Sequence, residues 1–189
     1  SQLPIRMLAT AHGVIWRSHA EKILAAYKDW IVCRPSAKVL VVYDSMWGST
    51  EQMAEAIVEG ATRDGVSAKL FSLRANNLTL LATEVLDAAT IAYGSSTLNG
   101  TLLPEAAAGL AYLKGLRPLC KAGFAFGSYG WSKGGAAAVH QGLEEMKVEL
   151  LREPLEAQYR PTPAVLEECR QAGRMLENKA VELSCRFAD

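Results

Sequence analysis

The sequence KVLVVYDSMWGSTE, residues 38–51, contains a Val-rich apolar run, a polar turn and the start of a helical pattern. The apolar run suits a β-strand that is buried on both faces of a parallel sheet, and the residues after Thr50 have helical spacing. In the turn between them, the unpaired N–H groups of the first helical turn meet the positive end of the helix dipole. Such a turn binds an anion without any cationic side chain. The stretch therefore predicts a strand-turn-helix unit of an α/β fold.

The turn itself carries three hydroxyl groups and one glycine. Ser45, Ser49 and Thr50 can donate hydrogen bonds to an anion, and Gly48 permits close backbone approach or a positive φ. The alternative is that Ser49 or Thr50 merely caps the helix, and the turn alone does not decide between the two. Neither common nucleotide loop is present, since the strand is followed by no G-x-x-x-x-G-K-[ST] and no G-x-G-x-x-G. This argues against the phosphate of ATP or of a dinucleotide.

The composition fits one compact domain, with room for a small appendage. Hydrophobic residues make up 50% of the 189 residues, which is enough for a substantial core. Twenty basic residues balance twenty acidic ones without a block of either sign, so we expect no binding to nucleic acid or to an anionic membrane. No apolar run reaches the length of a membrane span, and the start of the sequence lacks the apolar core of a signal peptide. We therefore expect a cytoplasmic protein.

The cysteines are widely spaced. They are Cys33, Cys120, Cys169 and Cys185, and they form no C-x-x-C motif. This spacing argues against a zinc knuckle, a thiol redox motif or a dense disulfide framework. We expect reduced thiols, as in most cytoplasmic proteins.

From residue 38 onward, short apolar runs alternate with amphipathic ones, a pattern that indicates a parallel sheet. The predicted strands are 38–43, 67–73, 88–93, 122–126 and one between 148 and 157. The predicted helices are 50–64, 78–86, 104–113, one that ends near 146, and 163–183. These β-α units predict a three-layer, doubly wound domain. Residues 1–37 lie outside this rhythm, with a possible short strand at 5–10, a helix at 20–30 capped by Ser18, and a linker at Pro35 and Ser36.

Polar loops follow the first, third and fourth predicted strands, the latter two at residues 94–100 and 127–135. In open parallel sheets, ligands bind at the carboxyl ends of the strands, where the winding direction changes. A strand order of 2-1-3-4-5 would place these three loops side by side. We therefore expect the loops to form one site.

Trp47, Tyr129 and Trp131 offer aromatic faces beside the predicted anion site, which suggests a planar ring as the ligand. The alternative is that these rings only close the edge of the domain. Four glycines favour the ligand, because they let backbone N–H groups approach the heteroatoms of a ring: Gly127, Gly130, Gly134 and Gly135.

The histidines give weaker signals. His12 could be a metal ligand or a base, but a capping or packed histidine is the commoner case, and no H-x-E-x-D-H or H-E-x-x-H cluster accompanies it. His140 fits an ordinary position on a helix. No Ser/His/Asp or Cys/His arrangement stands out.

Three motifs together resemble the flavodoxin-like domain of flavodiiron proteins: YDSMWGSTE at 43–51, GSSTLNG at 94–100 and FGSYGW at 126–131. The segments LKGLRP at 113–118 and YRPT at 159–162 are also similar to that family, so the resemblance covers nearly the whole chain. Trp47 stands where simple flavodoxins carry a third hydroxyl, which favours the flavodiiron version. Two residues depart from the family pattern. Ser96 stands where many relatives have proline, and Lys133 lies in the glycine-rich loop after Trp131. Both differences concern only the fine contacts to the ligand.

The resemblance implies a flavodoxin-like three-layer α/β sandwich with a five-stranded parallel sheet in the order 2-1-3-4-5, and FMN as the cofactor. The phosphate would lie at 45–50 and the isoalloxazine ring between 95–100 and 128–131. The FMN-binding residues that it implies are Ser45, Met46, Trp47, Gly48, Ser49, Thr50, Ser95, Ser96, Thr97, Asn99, Gly100, Ser128, Tyr129, Gly130, Trp131 and Ser132.

The same resemblance interprets residues 1–37 as a remnant of a metallo-β-lactamase-like domain, followed by the FMN-binding domain at 38–189. The segment HGVIWR at 12–17 is similar to the end of that domain, in which the histidine is a ligand of a diiron centre. His12 would then bind metal only if the rest of the diiron domain were present. The chain is interpreted as part of a longer enzyme, although a natural short protein stays an alternative.

The resemblance therefore implies an electron-transfer domain of an oxygen or nitric oxide reductase. FMN would relay electrons from a rubredoxin-like donor or a reductase to a diiron centre outside this chain, within a homodimer or homotetramer. The chain alone would not be catalytically competent. The alternatives are a stand-alone flavodoxin-type electron carrier and a non-enzymatic interaction domain.

Overall fold

The computed structural model describes residues 5–185, so the outermost residues of the two predicted domains, 1–4 and 186–189, lie outside it. The helices are α1 (Ala20–Ile31), α2 (Ser49–Ala61), α3 (Leu78–Asp87), α4 (Pro104–Leu116), α5 (Gly135–Glu145) and α6 (Pro163–Cys185). The strands are β1 (Ser36–Asp44), β2 (Ser67–Ser72), β3 (Ala88–Ser95), β4 (Thr97–Leu98), β5 (Thr101–Leu102), β6 (Ala122–Tyr129), β7 (Glu149–Leu150) and β8 (Leu155–Gln158).

The main sheet is parallel and has the order β2-β1-β3-β6-β7, with β8 also paired to β6. This is the predicted order 2-1-3-4-5, with the fifth strand in two pieces. Residues 151–154 separate the pieces, and Pro154 among them has no N–H for a ladder hydrogen bond. The predicted flavodoxin-like fold class is confirmed.

Helices cover both faces of the sheet, and the side chains of β1 alternate between two apolar clusters. Val39 and Val41 pack with α2 and α6 on one face, whereas Leu40 and Val42 pack with α3, α4 and α5 on the other. Because the side chains of a strand point to alternate faces, a run of consecutive apolar residues suits a strand buried on both sides. This is the three-layer arrangement that the Val-rich run predicted.

The strands that carry the predicted loops are longer than expected. β3 extends to Ser95 and β6 extends to Tyr129, so residues assigned to loops are strand ends. The remainder of the loop after β3 contains the short antiparallel hairpin of β4 and β5, which the sequence did not predict. These residues belong to the strands because hydrogen bonds to the neighbouring strand satisfy their backbone N–H and C=O groups.

Three predictions for the N-terminal segment were wrong, as was one for the cysteines. Ser36 is the first residue of β1 and not part of a linker. Residues 5–10 form no strand but a single bridge between Leu8 and Trp16. α1 has His19 at its N-cap, with a positive φ, so Ser18 does not cap it.

The thiols are not all reduced, because a disulfide joins Cys33 to Cys120 across a sequence separation of 87 residues. This pairing depends on tertiary structure, and the spacing of the cysteines gave no signal of it. Cys169 is free and buried, and Cys185 is free and exposed. No helix within residues 5–185 combines the length and the hydrophobicity needed to cross a membrane.

Leu176 on α6 is fully buried in the cluster between the sheet and α2. We expect Leu176→Ala to lower the free energy of unfolding by about 2–5 kcal/mol, because it removes buried methyl groups and leaves a cavity. Urea unfolding followed by circular dichroism measures this loss. Leu80→Ala is the control, since that side chain is 37% exposed, and a loss as large as that of Leu176→Ala would contradict the assignment of the core.

Candidate functional site

The turn after β1 presents free backbone donors at the start of α2. Gly48 is the N-cap, with a φ of 83° that glycine adopts without strain, and its N–H donates to Ser45 Oγ at 3.0 Å. The N–H groups of Ser49, Thr50 and Glu51 have no acceptor among residues 5–185. Neither Ser49 nor Thr50 caps the helix, so the capping alternative is wrong. Three N–H groups aimed outward at a helix N-terminus form an anion site.

A buried cluster of three hydroxyl groups ties the three strand ends together. Thr50 Oγ1 lies 2.8 Å from Ser96 Oγ and 2.8 Å from Ser128 Oγ, and the two serine oxygens are 3.3 Å apart. The N–H of Met46 also donates to Ser96 Oγ, at 3.4 Å. All three hydroxyl-bearing residues are buried. The cluster therefore couples the geometry of the anion turn to that of the other two loops.

A buried carboxylate lies directly before the turn. Asp44 is fully buried, and its Oδ1 accepts from Nε of Arg74 at 2.6 Å, whereas its Oδ2 has no partner among the described residues. Because most buried polar groups are paired, an unpaired carboxylate oxygen points to a further donor or to a strained position. The sequence analysis missed Asp44, although a charged residue at the end of a buried apolar strand was a visible signal.

The tyrosine before Asp44 fastens the first turn of α2 to β1. The hydroxyl of Tyr43 donates to Glu51 Oε1 at 2.6 Å. Burial, together with this hydrogen bond, raises the pKa of Tyr43 to about 12, so the phenol stays a donor at neutral pH.

A cleft of about 360 Å³ opens beside the anion turn. Two indoles at its rim face solvent, since Trp47 is 88% exposed and Trp131 is 96% exposed. Large apolar side chains that are exposed around one cleft often mark a binding surface. The predicted residues that line the cleft are Met46, Trp47, Ser49, Ser96, Thr97, Ser128, Tyr129, Gly130 and Trp131. The structure thus brings residues of all three predicted loops to one cleft.

The other predicted residues do not line this cleft, and most of them have structural contacts. The Ser95 hydroxyl accepts from the N–H of Leu103 at 2.9 Å, while Asn99 and Gly100 form the turn between β4 and β5 with positive φ. Ser45, Gly48 and Thr50 belong to the anion turn and the hydroxyl cluster already described. Ser132 is exposed beyond the end of β6.

The loop around β4 and β5 is held against the start of α5. Thr97 Oγ1 accepts from the N–H of Gly135 at 3.0 Å. A Cβ at Gly134 would lie 1.9 Å from the carbonyl oxygen of Gly100, and its φ of 149° also disfavours other residues. The hydrogen bond holds Thr97 at the cleft, and the close approach of Gly134 to Gly100 holds the turn between β4 and β5 beside α5.

Tyr159 and Arg160 also line the cleft, and sequence reasoning did not assign them to it. The N–H of Tyr159 donates to the carbonyl oxygen of Tyr129 at 2.7 Å, which holds the loop after β8 next to β6. The signal for these residues was the YRPT segment at 159–162, whose similarity to the flavodiiron family did not by itself place it at the cleft. Arg160 supplies a positive charge at the cleft, whereas Lys133 pairs with Glu156 at 2.6 Å, which raises the pKa of that lysine.

The histidines do not form a metal site within residues 5–185. His12 is exposed, and its carbonyl oxygen accepts from the hydroxyl of Thr10 at 2.6 Å. No group of three or more His, Cys, Asp or Glu residues in the described part of the chain is placed to bind a metal ion. His140 is half-buried in α5 and does not line the cleft.

Residues 41–173 match the family model of the flavodoxins. A nitric oxide reductase of Moorella thermoacetica is 38% identical over 188 residues, which are 99% of this chain and 45% of that protein. Among solved structures, the flavodiiron protein of Giardia intestinalis gives a TM-score of 0.87 at 32% identity, covering 95% of this chain and 45% of that one. Rubredoxin oxygen:oxidoreductase of Desulfovibrio gigas gives a TM-score of 0.84 at 32% identity, covering 94% and 45%.

The chain therefore belongs to the flavodoxin family. Within that family it matches the C-terminal, flavodoxin-like domain of flavodiiron proteins, as the sequence motifs predicted. It spans about 45% of the length of these relatives.

The hydroxyl cluster leads to a prediction for Thr50. We expect Thr50→Val to lower the free energy of unfolding by about 1–3 kcal/mol, because it leaves two buried serine hydroxyls without their shared partner. Chemical denaturation measures the change. Thr79→Val on α3 is the matched control, since Thr79 is exposed and its hydroxyl has no part in the cluster. Equal stability of the two variants would contradict the assigned role of Thr50.

Proposed function

We propose that this chain binds FMN and serves as the electron-transfer domain of a flavodiiron oxygen or nitric oxide reductase. The observation that carries the proposal is the cleft with free helix N–H groups at one end and two exposed indoles at its rim. An anion binds at such a helix end, and a flat apolar ring binds between aromatic faces. A phosphorylated planar ring combines both requirements.

The residues present fit FMN. The N–H groups of Ser49, Thr50 and Glu51 would bind the phosphate, with the hydroxyls of Ser45 and Ser49 beside them. Trp47, Tyr129 and Trp131 would hold the isoalloxazine ring. When bound, FMN supplies reversible one- and two-electron chemistry, and the protein supplies its binding, orientation and electrostatic surroundings.

The cleft is open to solvent on one side, which supports electron transfer at the surface of the protein. The rim residues Trp47, Trp131 and Tyr159 are all exposed, so a partner protein can approach a bound ring closely. Two relatives of this chain are named nitric oxide reductase and rubredoxin oxygen:oxidoreductase, and these names support a role in electron transfer. We propose a rubredoxin-like protein or a reductase as the donor, and a diiron centre outside this chain as the acceptor.

The proposal assigns residues 38–189 to the FMN-binding domain and residues 1–37 to the end of a metallo-β-lactamase-like domain. His12 would be a metal ligand only together with the remainder of that domain. The whole enzyme would be a homodimer or homotetramer.

Mixing the FMN-loaded chain with reduced rubredoxin tests the electron donor. We expect the bound flavin to become reduced. We expect no consumption of nitric oxide or oxygen by a diiron reaction, because the diiron centre lies outside this chain.

The anion turn is tested by comparing FMN with riboflavin, which lacks the phosphate. We expect Ser49→Asp to weaken FMN binding at least 100-fold and to change riboflavin binding less than threefold, because the new carboxylate repels only the phosphate. Quenching of flavin fluorescence measures both affinities. Ser67→Asp on β2 is the control and should bind both flavins like the unmodified chain. Equal weakening of both flavins would contradict a phosphate site at the start of α2.

The aromatic rim is tested separately. We expect Trp131→Ala to weaken both FMN and riboflavin about three- to tenfold, because stacking with an aromatic ring contributes about 0.5–1.5 kcal/mol. Tyr112→Ala on α4 removes another partly exposed aromatic ring, outside the cleft, and should leave both affinities unchanged. Unchanged binding in Trp131→Ala would exclude Trp131 from the ring site.

A further inference from the structure

Arg160 is the charged residue of the cleft. Among residues 5–185, the side chains that line the cleft are otherwise apolar, aromatic or hydroxyl-bearing, with no Asp, Glu, Lys or His among them. The guanidinium of Arg160 makes no hydrogen bond or ion pair with any residue of the part of the chain that the structure describes. Arginine commonly pairs with an anionic group. A cation without a counter-charge at a ligand cleft therefore points to negative charge on what the cleft binds.

The backbone of Arg160 is held on both sides. The N–H of Tyr159 donates to the carbonyl oxygen of Tyr129 at 2.7 Å, and Tyr159 has a φ of 57°. On the other side, Pro161 is buried, and a proline restricts the residue before it to extended conformations. The guanidinium is therefore carried by a fixed stretch of backbone beside β6.

Arg160 lies far from the anion turn. The strands follow one another as β1, β3, β6 and β8, since Phe126 of β6 pairs with both Gly94 of β3 and Leu155 of β8. Neighbouring strands are about 4.8 Å apart, so β8 lies roughly 14 Å from β1. The anion turn follows β1, whereas Arg160 follows β8. Arg160 thus belongs to the end of the cleft that the loops after β6 and β8 form, which is the end proposed for the ring.

Another positive charge near this end is already paired. Lys133 Nζ lies 2.6 Å from Glu156 Oε2 and 5.1 Å from the centroid of the Tyr129 ring. Because the carboxylate of Glu156 offsets the charge of Lys133, the unpaired positive charge at the ring end is that of Arg160.

A flavin ring changes its charge when it is reduced. At mildly alkaline pH, a ring that takes up two electrons and one proton carries one negative charge more than the oxidised ring. A nearby cation attracts this negative charge and has little effect on the neutral, oxidised ring. A cation at the ring end therefore favours the reduced form.

We propose that Arg160 stabilises the reduced, negatively charged form of the flavin ring and so raises the reduction potential of the site. This inference rests on the proposed binding of FMN. The electrons come from the donor protein and the proton from solvent, so Arg160 itself is neither oxidised, reduced nor deprotonated. Its charge shifts the equilibrium between the two forms of the ring.

The test measures the reduction potentials of FMN and of riboflavin bound to the full chain, without oxygen and at mildly alkaline pH, by equilibration with a dye of known potential. We expect Arg160→Met to lower the ratio of the affinities for the reduced and the oxidised ring at least threefold with both flavins. For a two-electron couple, threefold corresponds to a potential lower by about 14 mV. Riboflavin isolates the ring, because it lacks the phosphate.

Two variants are the controls. Arg160→Lys keeps the positive charge, so it should change the ratio less than threefold. Lys147→Met removes an equal charge at the opposite edge of the sheet, since Lys147 is exposed and lies just before β7. It should also change the ratio less than threefold.

Three outcomes would overturn the inference and leave FMN binding standing. The first is a change below threefold in Arg160→Met. The second is a loss of affinity for oxidised FMN with both properties of riboflavin unchanged, which would assign Arg160 to the phosphate. The third is an equal effect of Lys147→Met, which would show that only the net charge matters. A chain that binds neither flavin would overturn the proposed function itself, and this inference with it.

Discussion

The candidate site depends on the register between the three central strands. Parallel pairing sets Tyr43 of β1 opposite Gly94 of β3, and Gly94 opposite Phe126 of β6. Because all three strands run in the same direction, the chain leaves each of them at the same edge of the sheet. The residues that follow then meet, and the hydroxyls of Thr50, Ser96 and Ser128 come within 3.3 Å of one another. A shift of one residue in any strand would turn its side chains to the opposite face and separate this cluster.

The sequence predicted those features that depend on local pattern. The Val-rich run of β1 and the alternation of strands and helices follow from the need to bury apolar side chains on both faces, so the fold class was predicted correctly from the pattern. The strand order was predicted from the resemblance to the flavodiiron family, and that order is what placed the three loops together. The features that were missed depend on distant contacts. Tyr159 reaches the cleft through a hydrogen bond to Tyr129, and Cys33 meets Cys120 across 87 residues. The local sequence around these residues gives no indication of either contact.

The two ends of the cleft use different physical interactions. At the start of α2, partial charges of the backbone attract an anion, and the effect falls off within the first helical turn. At the rim, Trp47 and Trp131 offer large flat faces that stay exposed without a ligand. The anion turn therefore suits a negatively charged group, whereas the rim suits a flat apolar one. A ligand that lacks either part loses one group of interactions, which is why the two kinds of variant are expected to differ in their effects on FMN and riboflavin.

The disulfide and the cleft lie at opposite ends of the same strands. Cys33 and Cys120 come just before β1 and β6, while the residues that line the cleft follow the carboxyl ends of these strands. Between these two places, β1 is buried from Lys38 to Asp44 and β6 from Ala122 to Ser128, and each of the two strands pairs with neighbours on both sides. The parallel sheet thus separates the disulfide from the residues that line the cleft.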